Sequence, residues 1–163
     1  MLMATQKSIG PCNRSPSLEN RIQKLDGKLD LGKHLYVAYG SNLNLEQMAS
    51  RAPTAQPLGA GYLKGWKLVF RRVADIQKSD SDSILPVGFW AITEKDELAL
   101  DRYEGYPRVY SKININGAMT YVMNSDDIAP PSPTYFATIQ KGYEDFGLDT
   151  DSLVSALTES GGI

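Results

Sequence analysis

The apolar positions of this chain fall into short runs whose spacing changes along the sequence from continuous to alternating to helical. Leu35-Tyr36-Val37-Ala38-Tyr39 is an unbroken apolar run closed by Gly40, which predicts a buried strand. Gly40-Ser41-Asn42 then predicts a tight turn. Leu45, Met48 and Ala49 recur at i, i+3 and i+4, so a short helix comes next and stops before Pro53. Asn44 with Gln47 three residues on has the form of a capping box at its start. Trp66, Leu68 and Phe70 alternate with Lys67, Val69 and Arg71, the period of a strand with one strongly apolar face; Arg71 and Arg72 read as solvated charges at its end. A further strand is expected over Val87–Ile92. Thr93 followed by Asp96 marks a helix start, and Gly105 with Pro107 ends that helix near Tyr103.

Val109–Ile115 and Ala118–Met123 flank Asn116-Gly117, a strong hairpin signal because both turn positions need positive φ. Ser132-Pro133 predicts a helix start with proline at the first position, and Tyr135, Ile139 and Tyr143 share one stripe of that helix up to Gly147. A last short helix is expected over Asp151–Ser160. Lys78–Ser83 reads as a solvated loop, and the wider stretches Ala74–Leu85 and Asn124–Pro131 read as loops without diagnostic chemistry. No internal repeat is present, and the mixed order of elements points to an α+β fold: a small mixed, curved or barrel-like sheet with a few short packed helices.

Residues 1–32 differ from the remainder of the chain. Apolar residues are sparse and Gly10, Pro11, Asn13, Ser15, Pro16 and Ser17 punctuate the segment, so a flexible extension precedes one domain over 33–163, with a short helix allowed within Leu18–Leu25. The 163 residues, 42% hydrophobic and 22% charged, suit a single globular domain with a real core. A formal charge of −2 gives no electrostatic footprint for nucleic acid or an anionic membrane, which leaves a small substrate or a protein partner, and a charged domain of this size is expected to be a monomer. No apolar run reaches the roughly 18 residues of a membrane span, and Met1–Gly10 lacks the core of a secretory signal, so the expected location is cytoplasmic. A single cysteine, Cys12, rules out an intramolecular disulfide or a Cys-rich zinc site, and a single histidine, His34, rules out a His-based cluster. No metal or cofactor is expected.

Two constellations carry candidate chemistry. The first is Tyr39-Gly40-Ser41-Asn42-Leu43, between a buried strand and a helix. Glycine lets the backbone approach a ligand closely, and the start of a helix leaves N–H groups for an anion or a developing oxyanion. The same spacing also describes an ordinary strand-to-helix turn. The second is Leu100-Asp101-Arg102-Tyr103-Glu104-Gly105-Tyr106-Pro107, followed by Val109-Tyr110. Glu104 falls at a helix C-terminus, where the macrodipole disfavours negative charge, with Tyr103, Tyr106 and Tyr110 available to desolvate it. Both effects raise a carboxyl pKa toward that of a general base. A surface glutamate in a helix-ending turn has the same local sequence. Ser41 has no histidine or lysine nearby in sequence to activate it as a nucleophile.

Taken together and in this order, Tyr-Gly-Ser-Asn after an N-terminal strand, Leu-Asp-x-Tyr-Glu-Gly with Tyr110, and Pro131-Ser132-Pro133-Thr134-Tyr135 with Ile139 and Gly142 resemble the γ-glutamylcyclotransferase-like family, including its avirulence-induced and γ-glutamylamine branches, over about residues 34–160. The resemblance implies a lyase-type cyclisation of a γ-glutamyl amine or γ-glutamyl amino acid to 5-oxoproline. It makes Glu104 the base and then acid, the Tyr39–Leu43 turn the substrate cradle, and Tyr110 and Tyr135 cavity-lining residues. A second class fits the same residues: a non-catalytic module that holds or sequesters a small metabolite in that cavity.

Overall fold

The computed structural model describes Leu29 and residues 32–162. The expected extension falls mostly outside these residues, as do Cys12 and the helix allowed within Leu18–Leu25. Seven strands and four α-helices succeed one another among the described residues: β1 Lys33–Ala38, α1 Leu45–Arg51, β2 Gln56–Lys64, β3 Trp66–Arg71, β4 Val73–Lys78, β5 Ile84–Thr93, α2 Glu94–Glu104, β6 Tyr110–Ile115, β7 Ala118–Met123, α3 Pro133–Phe146 and α4 Asp151–Glu159. A 3₁₀ turn over Ser41–Leu43 links β1 to α1. The fold is α+β, as the mixed order of elements predicts.

Five strands form one sheet in the order β2-β5-β1-β7-β6, antiparallel except between β1 and β7, and β3 pairs with β4 in a separate hairpin. The sheet does not close. β2 and β6 stay as its edges, and the β3–β4 hairpin packs on it without joining its hydrogen-bond ladder, which corrects the barrel-like expectation. β1 lies in the middle and its last residues are fully buried, so its end delivers the adjoining turn into the interior.

Two strands are hidden in the sequence. β2 carries Pro57, Gly59 and Gly61, which weaken strand propensity; it is an edge strand, paired only to β5, with a register shift between Pro57 and Gly59. β4 lies where a loop is expected from Ala74. Its apolar alternation is broken by Asp75, a charged residue at a position only 2% exposed. Asp75 is tolerated there because Arg71 Nε donates to its Oδ2 at 2.7 Å and the Met123 N–H donates to its Oδ1 at 2.9 Å. Arg71 is therefore buried and paired, not a solvated strand-end charge.

The helix ends obey their caps. Asn44 accepts from the Gln47 N–H at the start of α1, although the Gln47 side chain turns to Arg51 instead of closing the box. Thr93 and Asp96 close a full capping box on α2, and Gly105 ends that helix at φ 74°. Asn116 and Gly117 both take positive φ in the β6–β7 hairpin. No helix among the described residues is long and apolar enough to cross a membrane.

Candidate active site

The end of β1, the 3₁₀ turn, β4, the C-terminus of α2, β6, β7 and the start of α3 converge on one pocket. It is narrow and partly open to solvent, and is lined by Tyr36, Tyr39, Gly40, Ser41, Asn42, Ala74, Glu104, Tyr110, Tyr121 and Tyr135. Residues far apart in sequence meet here: the turn, Glu104, Tyr110 and Tyr135 share one wall system.

The turn is held from several sides. The N–H groups of Leu43 and Asn44 donate to Gly40 O and Ser41 O at 3.0 Å, so they are consumed within it. The N–H groups of Ser41 and Asn42, at the head of the 3₁₀ turn, are the ones its geometry leaves for a ligand. Trp90 Nε1 donates to Asn42 O at 3.1 Å and fixes the turn to β5. Gly40 is required by close approach: a Cβ there would meet the Ala74 Cβ at 2.9 Å. Gly142 is the second such contact, since a Cβ on α3 would meet Leu43 Cβ at 2.7 Å and the Asn44 nitrogen at 2.8 Å. Leu43 itself does not line the pocket. It is fully buried with its side chain against Gly88 and Gly142, and serves as the plug that seats the turn in the core.

Glu104, the last residue of α2, is half-buried at the pocket wall. Burial pushes its carboxyl up to about 7, against the opposing pull of the Arg51 charge and a hydrogen bond from Asn42. The aromatic surroundings differ from the sequence expectation. Tyr103 and Tyr106 are 49% and 40% exposed and line no part of the pocket, whereas Tyr110 does and is joined by Tyr36 and Tyr121. Tyr36 and Tyr121 lie outside the sequence motifs and look like ordinary strand aromatics; only the sheet order brings them together, β1 beside β7.

β4 positions two further tyrosines. Tyr110 Oη donates to Ala74 O at 2.7 Å, and the Ala74 N–H donates to Tyr135 Oη at 3.0 Å. Burial pushes the Tyr135 phenol up to about 12, so it is neutral at ordinary pH. Ser41 Oγ accepts from Arg51 Nη1 at 3.0 Å. Its hydroxyl thus meets a cation, not a base, and the arrangement does not activate it for attack.

Arg51 is the functional candidate that sequence reasoning missed. From the last turn of α1 its Nη1 also donates to Asn42 Oδ1 at 2.6 Å and its Nη2 to Gln47 Oε1 at 2.7 Å. The guanidinium lies 3.6 Å from the centre of the Tyr103 ring, whose hydroxyl also accepts from it. The only sequence signal was a cation in the last turn of a short helix, which is commonplace. Asn42, gripped by Arg51 through its oxygen, donates through Nδ2 to Tyr36 Oη at 2.8 Å.

No protein-family model matches the chain. Two curated relatives are similar to it: the γ-glutamylcyclotransferase of Mus musculus, 31% identical over 136 aligned residues and spanning 70% of this chain and 72% of that protein, and that of Homo sapiens, 30% identical over the same shares. Among solved structures, a γ-glutamyl cyclotransferase superposes with a TM-score of 0.66 at 25% identity, over 80% of this chain and 88% of the other.

Proposed function

The chain belongs to the γ-glutamylcyclotransferase family, and from that premise we propose that it cyclises the γ-glutamyl group of a γ-glutamyl amine or γ-glutamyl amino acid to 5-oxoproline, with Glu104 as base and then acid. The observation that carries the reading is a half-buried carboxyl, raised to about 7, on the wall of the same pocket as the Gly40-Ser41-Asn42 turn.

The reaction needs no protein nucleophile because the attacking group is the substrate's own α-amine. One proton leaves the α-ammonium for the Glu104 carboxylate, and the freed amine attacks the γ-carbonyl carbon. As the carbonyl carbon–nitrogen bond to the leaving amine breaks, Glu104 returns its proton to the departing nitrogen. A carboxyl near 7 is suited to both transfers at neutral pH, which are worth on the order of 10² to 10⁴ in rate. Holding the glutamyl chain curled makes the attack intramolecular and supplies ~7–11 kcal/mol of the barrier when orientation is good. The Ser41 and Asn42 N–H groups suit the anionic part of the substrate, its carboxylate or the developing oxyanion.

The test is a panel of γ-glutamyl amines and γ-glutamyl amino acids, with release of 5-oxoproline followed directly. At least one member is expected to be turned over, and Glu104→Gln is expected to slow that turnover by on the order of 10² or more. Tight binding of panel members without any 5-oxoproline would favour the binding-module reading instead.

A further inference from the structure

Five tyrosines line the pocket, and each hydroxyl has a single hydrogen to give, so its protein partner decides what it offers a ligand. Tyr36 and Tyr135 accept elsewhere, from Asn42 Nδ2 and the Ala74 N–H, and keep their hydrogens. Tyr39 and Tyr110 give theirs to backbone carbonyls, Tyr121 O and Ala74 O, both at 2.7 Å. Tyr121 gives its hydrogen to a side chain, Asp101 Oδ1, at 2.6 Å.

That last contact is built into a charged network. The other Asp101 oxygen accepts from Lys112 Nζ at 2.9 Å, Lys112 also donates to Glu97 Oε2 at 2.5 Å, and Glu97 Oε1 lies 2.6 Å from His34 Nε2. Burial pushes the Glu97 carboxyl up, but hydrogen bonds from Lys112 and His34 outweigh it and hold it below its usual range. A carboxylate only accepts, so with Lys112 on one oxygen and Tyr121 on the other, the phenolic hydrogen is drawn out of the pocket. Asp101 precedes Glu104 by three residues on α2, one turn back on the same side of the helix.

We propose that Asp101 is a positioning residue: by taking the Tyr121 hydrogen it presents the Tyr121 oxygen to the pocket as an acceptor, which receives the α-ammonium of an amino-acid ligand beside Glu104. The inference rests on the γ-glutamyl reading of the pocket and adds to it the residue pair that receives the substrate's α-amine. The pair is expected to favour a γ-glutamyl chain that carries the amine over the same chain without it. The Tyr36 and Tyr135 hydroxyls keep their hydrogens and so suit the anionic part of the ligand, which leaves the Tyr121 oxygen for the cationic part.

The isosteric change Asp101→Asn makes an unusual test. Lys112 can only donate, so it claims the asparagine oxygen, and the asparagine Nδ2 then faces the Tyr121 oxygen as a donor. The Tyr121 hydrogen is driven into the pocket, against the ammonium. L-glutamine and glutaramate differ only in the α-amine, and both can be titrated calorimetrically onto Glu104→Gln protein, in which turnover is slowed by on the order of 10² or more. Adding Asp101→Asn is expected to weaken L-glutamine by about tenfold or more, with glutaramate unchanged within about twofold. Tyr121→Phe is expected to weaken L-glutamine less than Asp101→Asn does. Combining the two is expected to be no worse than Tyr121→Phe alone, since no hydrogen is left to misdirect.

Equal loss for both ligands, or no loss for either, overturns the inference. Where Asp101→Asn does not fold, Tyr121→Phe decides: selective loss of L-glutamine supports it and equal affinities overturn it. Selective loss in a protein whose wild type forms no 5-oxoproline sinks the reaction while supporting the amine site. Turnover by the wild type without selective loss sinks this inference alone, and no binding of either ligand at millimolar concentration overturns both.

Discussion

Arg71 and Arg51 each hold a guanidinium away from bulk water by several hydrogen bonds, yet they differ in what they bind. Arg71 meets a carboxylate, Asp75, and completes its set with Asp126 O at 2.9 Å and Gln77 Oε1 at 3.1 Å. Its charge is neutralised where it sits, and the pair seats the β3–β4 hairpin. Arg51 meets only neutral oxygens, those of Ser41, Asn42, Gln47 and Tyr103, so its charge remains to act on Glu104 and pulls that carboxyl down against burial. The difference separates an arginine that stabilises the fold from one that tunes a site. An uncompensated charge beside a raised carboxyl is the signature of the second.

Breaking the buried pair should give the larger effect. Arg71→Met leaves Asp75 buried without its cation, a loss of roughly 3–5 kcal/mol, or a drop on the order of 10–15 °C in the thermal midpoint. The 5-oxoproline rate per folded molecule, measured well below that midpoint, should stay at the wild-type level.

Arg51→Met should do the reverse. Without the guanidinium the Glu104 carboxyl rises further above 7, so the acid limb of kcat/KM moves to higher pH, by up to about one unit. At neutral pH the shift should cost up to roughly fivefold in rate, recovered near pH 9, on top of any pH-independent loss from loosening the Ser41–Asn42 turn, while stability changes by no more than about 1–2 kcal/mol. A rate loss that is the same at every pH would reduce Arg51 to a packing role.

The smallest effect sharpens the contrast through stability. Glu104 has its folded pKa raised above the unfolded value, so the folded state binds more protons between about 4.5 and 7. The wild type therefore loses stability as pH rises through that window. Glu104→Gln removes the titration and should match the wild type near pH 4.5 but exceed it at pH 8, by about 1–2 kcal/mol once residual solvent contact is allowed for. Thermal midpoints of both proteins at the two pH values check the sign.

Much of this contrast was invisible in the sequence, for a physical reason. Local signals survived: the Thr93/Asp96 box, the Asn116-Gly117 hairpin and the Ser132-Pro133 start each lie within four residues and form as their chemistry dictates. The Tyr39–Leu43 segment and Glu104 stood out because a glycine turn and a helix-end glutamate are local too. β4 was lost because Asp75 breaks its apolar pattern, and the partner that excuses Asp75 is visible only once the hairpin has formed. Arg51, Tyr36 and Tyr121 were missed because nothing in their own segments distinguishes them; they acquire meaning from the β1–β7 pairing and from the packing of α1 against α2. Leu43 was placed with the right turn but on the wrong side of it, since backbone spacing does not say which residue plugs the core.

The central claim is that Glu104 moves the protons with a carboxyl poised near 7. Its most direct test is the pH dependence of kcat/KM for 5-oxoproline formation by the wild type and by Glu104→Gln. The wild type should show an acid limb centred near pH 7, and the variant should be slower by on the order of 10² or more with that limb gone. A limb centred near 4.5, or one that persists near 7 in Glu104→Gln, would contradict it.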